Sequence, residues 1–358
     1  MNKTLPYISV VINSYNGAGT IARTIDSFRK QSYPSDRFEI IVVNDGSSDD
    51  TADIARLHGA KVVQLTVNRG ISAARNAGLD AARGEIFVAS DDDCIAQADL
   101  LTHLVRGYRH GNPLGVGSFL VPSRAARSLI EEYMNETATG MESALVKTFG
   151  GSPLSRFWHY LVTKIKIPAA IPEIMPVDVL YGATGTFRVA DLRAVGGWDV
   201  AMSGIEDRDV CMRLHAAFPD RQFMLMRDAH MVHDPDMSLW QYLLRPFRRG
   251  PRNLEFHQRY HLLPPLFPMP LLAATMLAYG AWHHPLLALT LLLVGPQVLY
   301  FWWPVRAYRR RDVGLLLFTY IQLAEESMVI LGLIRGYTRP IRHPYRSFSR
   351  MMSRIIID

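Results

Sequence analysis

A short apolar run that stops at three consecutive aspartates is the feature that most constrains this chain. Residues 86–89 read Ile-Phe-Val-Ala, which predicts a buried strand, and Asp91, Asp92 and Asp93 follow after one serine. Adjacent carboxylates repel one another, and each resists burial unless a positive charge lies nearby. Asp91 and Asp93 can share one hard cation, Mg²⁺ or Mn²⁺, through oxygen ligands. The alternative interpretation is a solvated turn or a helix N-terminus, where aspartate is common.

Composition places the chain among folded proteins and leaves membrane attachment open. Its 358 residues are 49% hydrophobic and carry a formal charge of +6, which excludes a disordered chain and allows one large domain or two ordinary ones. The basic excess gathers after Arg245, beside long apolar runs, which favours lipid headgroups over nucleic acid as partners. Cys94 and Cys211 form no metal pattern and suggest a reducing compartment. The N-terminus shows no hydrophobic signal region, so we expect the N-terminal half to be cytoplasmic.

Apolar strands alternate with amphipathic helices in the first hundred residues. This alternation predicts an α/β fold with a doubly wound, mainly parallel sheet, in which ligands bind beyond the carboxyl ends of the strands. Tyr15, Asp45 and the Asp91–Asp93 pair all follow predicted strands, so we expect them to line one crevice. Neither a Gly-x-Gly-x-x-Gly fingerprint nor a P-loop is present in the sequence.

Three side chains could bind a nucleotide in this crevice. Tyr15 offers a ring for stacking, Asp45 an acceptor for a base or ribose, and Arg75 a donor for a base edge or phosphate. Ordinary packing is the alternative interpretation for Tyr15, and an ion pair on a helix surface is the alternative for Arg75.

Two later stretches combine glycines with acidic residues. The glycines of residues 181–188 and 195–199 predict loops whose backbone approaches a ligand closely. Glu206 and Asp207 then open a predicted helix, where they are either simple capping residues or functional carboxylates.

The motifs in residues 10–16, 41–47, 74–78 and 91–93 together resemble the family-2 glycosyltransferases, which have the GT-A fold. The resemblance implies that residues 1–235 form an inverting nucleotide-sugar glycosyltransferase domain of the membrane-attached bacterial type that makes polysaccharides or glycolipids. It implies an Asp-x-Asp metal motif at Asp91 and Asp93, with Asp93 the direct ligand. The residues that it implies for the donor nucleotide are Ser14, Tyr15, Asn16, Asp45, Arg75 and Asp92.

The resemblance also assigns roles to residues further along the chain. Asp207 is implied as the general base, with Glu206 beside it, although a nucleophilic role for Glu206 stays open. His233 is implied near the metal or the diphosphate, and a purely structural histidine is the alternative. The residues predicted for the acceptor and diphosphate region are Gly185, Thr186, Trp198, Arg245 and Arg248. The arginines among them could instead contact lipid phosphates.

The C-terminal third of the sequence indicates membrane attachment. We divide it into a basic interfacial segment at 236–262, a transmembrane helical hairpin at 263–304, and a basic juxtamembrane region with a third hydrophobic segment at 305–358. The hairpin contains two uncharged runs, each near the 20 or so residues that a helix needs to cross a bilayer. Tyr300, Trp302 and Trp303 would form an aromatic belt, and the arginines from Arg306 onward would stay cytoplasmic. These features predict a multi-pass protein of the inner membrane.

The third hydrophobic segment, residues 314–334, is ambiguous. It is long enough to span, but Glu325 and Glu326 lie near its middle, where burial is expensive. We therefore expect an interfacial or re-entrant segment whose arginine-rich tail, residues 335–354, lies on anionic headgroups. A third span is the alternative.

The predicted function is metal-dependent, inverting transfer of a sugar from a nucleotide-sugar donor, UDP-sugar being favoured, to a hydroxyl of a lipid-linked or growing glycan. The predicted cofactor is Mn²⁺ or Mg²⁺, and membrane lipids are predicted partners. One alternative is transfer to polyprenyl phosphate, which is already ionised and needs no base. The others are a processive polysaccharide synthase, disfavoured because no Gln-x-x-Arg-Trp stretch is present, and a non-catalytic membrane scaffold.

Overall fold

The computed structural model of the protein describes residues 5–122, 126, 128–138, 152, 158, 161, 172–202, 204–233, 238–264 and 267–338. Its first half contains four parallel strands in the spatial order β3-β2-β1-β4. They are β1 (Ile8–Ser14), β2 (Phe38–Asp45), β3 (Lys61–Leu65) and β4 (Ile86–Asp91). This arrangement confirms the predicted α/β class.

Five further strands extend the sheet beyond β4 and make it mixed. They are β5 (Cys94–Ala96), β6 (Gly115–Pro122), β7 (Ile174–Val177), β8 (Gly185–Arg188) and β9 (Phe223–His233). β8 pairs antiparallel with β4 and β6, β6 pairs parallel with β9, and β5 and β7 pair antiparallel with β9. The sheet is therefore mixed, with three parallel pairings around β1 and β2 and a fourth between β6 and β9.

Seven helices accompany these strands in the described part of the domain. They are α1 (Ile21–Arg29), α2 (Thr51–Leu57), α3 (Ile71–Ala81), α4 (Leu100–Gly107), α5 (Leu129–Ala138), α6 (Val189–Ala194) and α7 (Glu206–Ala217). Alternate residues of one strand enter two different cores, Val11 on one face of the sheet and Val10 and Ile12 on the other. Burial on both faces explains why the central strands are continuous apolar runs.

The carboxyl ends of the central strands meet at one edge. Ser14 pairs with Asn44 across β1 and β2, and Asn13 pairs with Asp91 across β1 and β4. The side chains that follow β1, β2 and β4 therefore lie together, as their positions in the sequence predicted.

Five helices form the part of the C-terminal region that the structure describes. They are α8 (Leu239–Arg259), α9 (Pro268–His283), α10 (Pro285–Leu299), α11 (Trp302–Arg310) and α12 (Phe318–Thr338). α9 and α10 are antiparallel, because a Cβ on Gly280 would contact Ala288 and one on Gly295 would contact Met276. They turn at His284, whose ring accepts a hydrogen bond from the Leu286 amide at 3.1 Å.

The lengths of these helices do not support the predicted multi-pass protein. α9 has 16 residues and α10 has 15, short of the 20 or so that span a bilayer. Within the described ranges, the 26 residues Val313–Thr338 alone are long and apolar enough, while α10 and α11 qualify only as one unit bent by 78°. A proline opens each hairpin helix, and both helices end sooner than the hydropathy of the sequence indicated.

The predicted aromatic belt is also corrected. Tyr300, Trp302 and Trp303 are buried inside the helical region, and both indole N–H groups donate to Gln322 Oε1, that of Trp303 at 2.7 Å. A hydrogen-bonded site inside protein satisfies these polar tips as well as a lipid interface does.

The two glutamates of the third hydrophobic segment lie in the same polar cluster. The hydroxyls of Tyr133 and Tyr242 each donate to Glu325 at 2.8 Å, and that of Tyr300 donates to Glu326 at 2.8 Å. These hydrogen bonds offset the free-energy cost of burying the carboxylates. The sequence alone had suggested that this cost was too high. The arginine tail predicted beyond residue 338 lies outside the described residues.

Candidate active site

A buried arginine joins three carboxylates at the edge of the sheet. Arg75, on α3, is 1% exposed, and its Nη1 donates to Glu206 Oε1 at 2.9 Å and to Asp207 Oδ1 at 2.7 Å. Its Nη2 lies 3.8 Å from Asp91 Oδ1. The Asp-x-Asp motif at the end of β4 and the acidic pair that opens α7 therefore share one positively charged side chain, that of Arg75. These acidic groups come from distant parts of the chain.

Burial and neighbouring charges shift the pKa values of this cluster in opposite directions. Burial alone would lower the pKa of Arg75, but Asp207, Glu206 and Asp91 outweigh it and raise that pKa. Burial raises the pKa of the Asp207 carboxyl to about 6, although Arg75 acts in the opposite direction. Burial likewise raises the pKa of Asp91. Asp207 is thus a carboxylate whose proton affinity suits a general base near neutral pH.

Gly182 closes over the arginine and was not predicted to do so. Its amide donates to Asp207 Oδ2 at 2.8 Å, and a Cβ at this position would overlap Arg75 Nη2 and lie 2.6 Å from Asp207 Oδ1. The glycine-rich sequence predicted a close approach of the backbone to a ligand. The group approached in the structure is the Arg75–Asp207 ion pair.

A second cluster lies where β5 pairs with β9. Cys94 is opposite His233 in this pairing, and His233 Nε2 lies 3.3 Å from Asp93 Oδ2. One ligand atom from each of Asp93, Cys94 and His233 can be placed within 4.8 Å of the other two. Burial raises the pKa of the Cys94 thiol well above its usual range. Asp93 and His233 offer the oxygen and nitrogen ligands of this cluster.

The donor set of this cluster fits a hard divalent cation. Asp91 Oδ1 is buried and accepts no hydrogen bond from the described part of the chain. Burial acts to lower the pKa of His233, but the hydrogen bond with Asp93 and the charges of Asp93 and Asp91 raise it overall. A cation here would satisfy the carboxylates and favour the neutral imidazole. Carboxylate oxygens with one imidazole suit Mn²⁺, and Mg²⁺ less well.

The loop after β1 presents an exposed aromatic ring at the edge of the sheet. Tyr15 is 52% exposed and free to stack on a base. Asn16 has a positive φ of 54°, and its amide donates to Ser47 Oγ at 2.8 Å while its Oδ1 accepts from the Ser48 amide at 2.9 Å. These bonds tie the loops after β1 and β2 together and hold the Tyr15 ring at the crevice.

Asp45 shapes this crevice through the backbone. Its two carboxylate oxygens accept from the amides of Arg69 and Gly70, at 2.8 and 2.9 Å. The bonds fix the chain just before α3, and hence the position of Arg75. Each oxygen keeps a lone pair for a base or ribose donor, so the predicted nucleotide role stays a prediction.

Asp92, the middle residue of the motif, is turned back toward β1. The Ser14 hydroxyl donates to Asp92 Oδ2, and a Cβ on Gly17 would overlap that carboxylate. Burial raises the pKa of Asp92 to about 6. The extra charge that the sequence left unexplained is accommodated by a hydroxyl and a glycine.

The structure also reveals a polar residue that sequence reasoning missed. Asn13 is 8% exposed, and neither side-chain amide atom has a hydrogen-bond partner in the described part of the chain. Its backbone lies beside Asp91 at the end of β1. Buried amides are nearly always paired, so an unpaired one at the carboxyl edge of the sheet is a candidate ligand contact. An asparagine that interrupts an apolar strand was the available signal.

Several predicted ligand residues are buried and have partners within the protein. Arg75 is enclosed by carboxylates and is 1% exposed. Thr186 is fully buried in β8 and donates to the Val116 carbonyl at 2.7 Å, and Gly185 beside it is buried. Trp198 is 2% exposed, packs against Arg75 at 5.8 Å, and is fixed through its backbone by Asn76. The ligand roles of these four residues stay predictions.

Helix α8 brings positive charge toward both clusters. The charge of Arg245 acts to lower the pKa of His233. Burial and Arg245 lower the pKa of Arg249, against the opposing pull of Glu206 and Asp207. Arg245 and Arg249 are four residues apart and so share a helix face. Arg248, also predicted, is exposed on α8.

The fold is that of the GT-A class of glycosyltransferases. The chain resembles the mannosyltransferase PcManGT of Pyrobaculum calidifontis, solved with GDP-Man and Mn²⁺, with a TM-score of 0.61, 19% identity, and coverage of 94% of this chain and 88% of that one. Residues 9–154 match the family model "Glycosyl transferase family 2". This part of the chain is therefore similar to glycosyl transferase family 2.

Curated relatives are similar to a part of the chain. Glycosyltransferase AglE of Haloferax volcanii is 36% identical over 99 residues, covering 26% of this chain and 33% of that protein. The poly-beta-1,6-N-acetyl-D-glucosamine synthase of Staphylococcus epidermidis is 35% identical over 112 residues, with 30% and 27% covered. Succinoglycan biosynthesis protein ExoO of Rhizobium meliloti is 36% identical over 129 residues, with 35% and 36% covered. The chain thus spans about a third of the length of these relatives.

Proposed function

We propose that this protein transfers a sugar, with inversion, from a nucleotide-sugar donor to a hydroxyl acceptor in a metal-dependent reaction. The observation that carries the proposal is the Arg75 cluster. One guanidinium lies beside Asp91 of the Asp-x-Asp motif and contacts both acidic residues of α7. A metal-bound diphosphate on one side and a base on the other are what a single in-line displacement requires.

Each group has a distinct task in this proposal. Asp207 takes the acceptor proton as the new bond forms, and Arg75 with the Gly182 amide holds that carboxylate in place. Asp93 and His233, with Asp91, would hold the cation, which supplies charge stabilisation for the departing diphosphate. Tyr15 stacks on the base, and Asn13 and Asp45 provide polar contacts to the donor. Glu206 is held by Arg75 and by the Gly204 amide, which favours a positioning role.

We propose a lipid-linked or growing glycan as acceptor and UDP-sugar as donor, at the cytoplasmic face of the inner membrane. The support for the acceptor is that two relatives are named for polysaccharide or succinoglycan synthesis. The support for the membrane is the exposed apolar surface of α9 and α10.

The test compares two variants in a donor-hydrolysis and transfer assay with Mn²⁺. Asp207→Asn should lower transfer at least 100-fold while nucleotide-diphosphate binding in the presence of metal is kept, since only the base is lost. Asp93→Ala should abolish the thermal shift that Mn²⁺ plus nucleoside diphosphate produces in the parent protein. Full transfer by Asp207→Asn, or an unchanged shift in Asp93→Ala, would contradict the respective assignment.

A second candidate is transfer to polyprenyl phosphate. Arg245 and Arg249, next to the acidic clusters, are the observation that favours an anionic acceptor. An ionised acceptor needs no base, so Asp207→Asn would then keep transfer while Arg249→Gln would reduce it. The opposite pattern supports the hydroxyl acceptor.

A further inference from the structure

The hairpin of α9 and α10 presents apolar side chains outward from both helices. No aspartate, glutamate, lysine or arginine occurs between residues 262 and 305. Trp282 at the tip is 87% exposed, and Leu286 is 67% exposed. Its other exposed large apolar side chains are Leu271, Leu272, Tyr279, Leu287, Leu289, Leu292, Leu293, Val294 and Val298. A patch of this size is not stable in water and marks a docking surface.

The helix that is long enough to span lies in a different environment. The exposed large apolar side chains of α12 are confined to one stripe, Leu331, Ile334 and Tyr337. Nearly all other residues of the helix are buried or half-buried, Glu326 among them at 5% exposure. A helix that crosses lipid alone would expose apolar residues on most of its circumference. α12 is therefore in contact with protein along its length, and a third of its most apolar stretch is buried.

α12 runs parallel to α8 and in close contact with it. Tyr242 bonds to Glu325, and a Cβ on Gly250 would overlap the backbone of Gly332. Further along, a Cβ on Gly336 would meet Leu254 Cδ2 at 3.1 Å. Residue numbers rise together on the two helices at these contacts, which shows that they run side by side for about three turns.

α8 is in turn fixed to the catalytic domain. Arg259, at its C-terminus, donates to Asp199 Oδ2 at 2.7 Å and to Asp209 Oδ1 at 3.1 Å. The next residue, Tyr260, donates to Asp209 Oδ1 at 2.7 Å. Nearer its middle, Arg249 Cγ lies beside Gly204, 3.7 Å from where a Cβ would be. α8 therefore lies along the domain, and α12, bound beside it, is not free to leave the domain and cross a membrane.

The hairpin is too short to cross a bilayer on its own. At 1.5 Å per residue its 16- and 15-residue helices extend roughly 22–24 Å, against roughly 30 Å for the hydrocarbon core. Its base is also packed in protein, because Met269 is buried and Gln297 donates to the Leu316 carbonyl at 3.0 Å. The part free to enter lipid is shorter still.

Positive charge lies at the base of the hairpin. Arg309 and Arg310 end the short helix that follows α10, and Arg311 comes directly after it; all three are exposed, and Arg310 forms an ion pair with Glu136. Anionic headgroups at a membrane surface attract basic residues placed beside an inserted apolar segment. We call these three arginines the basic rim. An exposed apolar hairpin followed by a basic rim fits a lipid surface better than it fits a second protein.

We propose that the α9–α10 hairpin inserts into one face of an anionic bilayer and ends inside it, so that the described part of the chain is monotopic. α8, α11 and α12 then lie at the interface between the catalytic domain and the headgroups. This inference rests on the membrane attachment in the proposed function and is independent of sugar transfer. An inactive variant such as Asp207→Asn serves equally well for its test.

The first experiment uses a cysteine at the tip. Cys94 and Cys211 are buried, so Ala281→Cys in the full chain provides a single reactive thiol. The matched control is Leu57→Cys, on α2 of the catalytic domain, where Leu57 is 83% exposed. An impermeant maleimide is applied to intact cells, to cells opened without detergent, and to detergent extracts.

The expected result is that Ala281→Cys reacts only in detergent, while Leu57→Cys reacts as soon as the cells are opened. Labelling of Ala281→Cys on intact cells would show a tip that crosses to the far side, and would overturn the proposal. Labelling in opened cells, with the protein in the soluble fraction, would show that protein rather than lipid covers the hairpin. That result would overturn it as well.

The second experiment tests the basic rim by vesicle flotation. Arg309→Glu with Arg311→Glu should weaken binding to vesicles of phosphatidylcholine and phosphatidylglycerol by at least about 30-fold. Binding to pure phosphatidylcholine should not change. The control makes the same charge change at exposed Arg37 and Arg56 of the catalytic domain and should have little effect. Equal loss in both double variants, or none in either, would contradict the proposed orientation.

Discussion

At the scale of the residue, the site depends on Arg75. One buried guanidinium neutralises charge from β4 and from α7, segments more than a hundred residues apart. The sequence indicated a strand end at Asp91 and a helix start at Asp207, and the resemblance to a known family implied that both belong to one site. The sequence did not predict what joins them, since an arginine on a helix carries no sign of its tertiary partner. The nucleotide role implied for Arg75 stays a prediction.

Replacing Arg75 by alanine should destabilise the protein strongly. Removing the cation leaves buried carboxylates uncompensated, at a cost of about 3–5 kcal/mol in the free energy of unfolding. Arg56→Ala breaks an exposed pair with Asp53 and should cost less than about 1 kcal/mol. Denaturant unfolding of both variants checks the difference. Similar losses would mean that Arg75 contributes no more than a surface pair.

A methyl group on Gly182 should disturb the base directly. Its Cβ would displace Arg75 and Asp207, so Gly182→Ala should lower transfer at least tenfold and cost about 1–3 kcal/mol of stability. Gly19→Ala is the matched control, because its Cβ would meet nothing within 4 Å. Transfer rates and melting temperatures of the two variants provide the measurement. A Gly182→Ala enzyme as active as Gly19→Ala would refute the close approach.

At the scale of the element, α12 shows why hydropathy alone misjudged the C-terminal region. Composition counts apolar residues but does not tell whether lipid or protein surrounds them. Glu325 looked too costly to bury, yet tyrosine hydroxyls from α5 and α8 satisfy it. The alternation of strands and helices in the first half was predictable, because each element there follows a local period. The packing of α12 depends on partners distant in sequence.

A double-mutant cycle should detect the bond between α5 and α12. Tyr133 donates to Glu325 at 2.8 Å, and hydrogen bonds to charged groups contribute about 1.5–3 kcal/mol. Tyr133→Phe, Glu325→Gln and the double variant, measured by denaturant unfolding, should give a coupling energy in that range. Tyr308→Phe changes a side chain that is 86% exposed and should be neutral. A coupling near zero would mean that Tyr133 contributes through packing alone.

At the scale of the whole molecule, ion pairs connect the catalytic domain to the helical region. Arg213 donates to Asp209 at 2.9 Å on α7, and Arg259 bridges from α8 to Asp209 and Asp199. These buried pairs position the two regions, because a misplaced partner would leave an uncompensated charge. Sequence reasoning drew its boundary near residue 235 and treated the segments on either side as separate. The structure makes α8 an integral part of both.

The Asp199–Arg259 pair should make this junction sensitive to acid. Burial acts to raise the pKa of Asp199, but the hydrogen bond from Arg259 outweighs it and lowers that pKa. The pair therefore stabilises the fold above the unfolded pKa of about 3.9, and this contribution is lost as pH falls through the lower native value. Asp199→Asn should destabilise the protein at pH 7 and lose that effect in acid. Unfolding at both pH values, with Asp36→Asn as an exposed control, measures this.

The short distance along α7 between Asp207 and Asp209 has a mechanical consequence. One carboxylate is held by Arg75 in the reaction crevice, and the other is held by the arginine that ends α8. A tilt of α8 against the lipid would pull on the same turn of helix that carries the base. Sugar transfer in this protein would then respond to the tension and curvature of the surface on which it works.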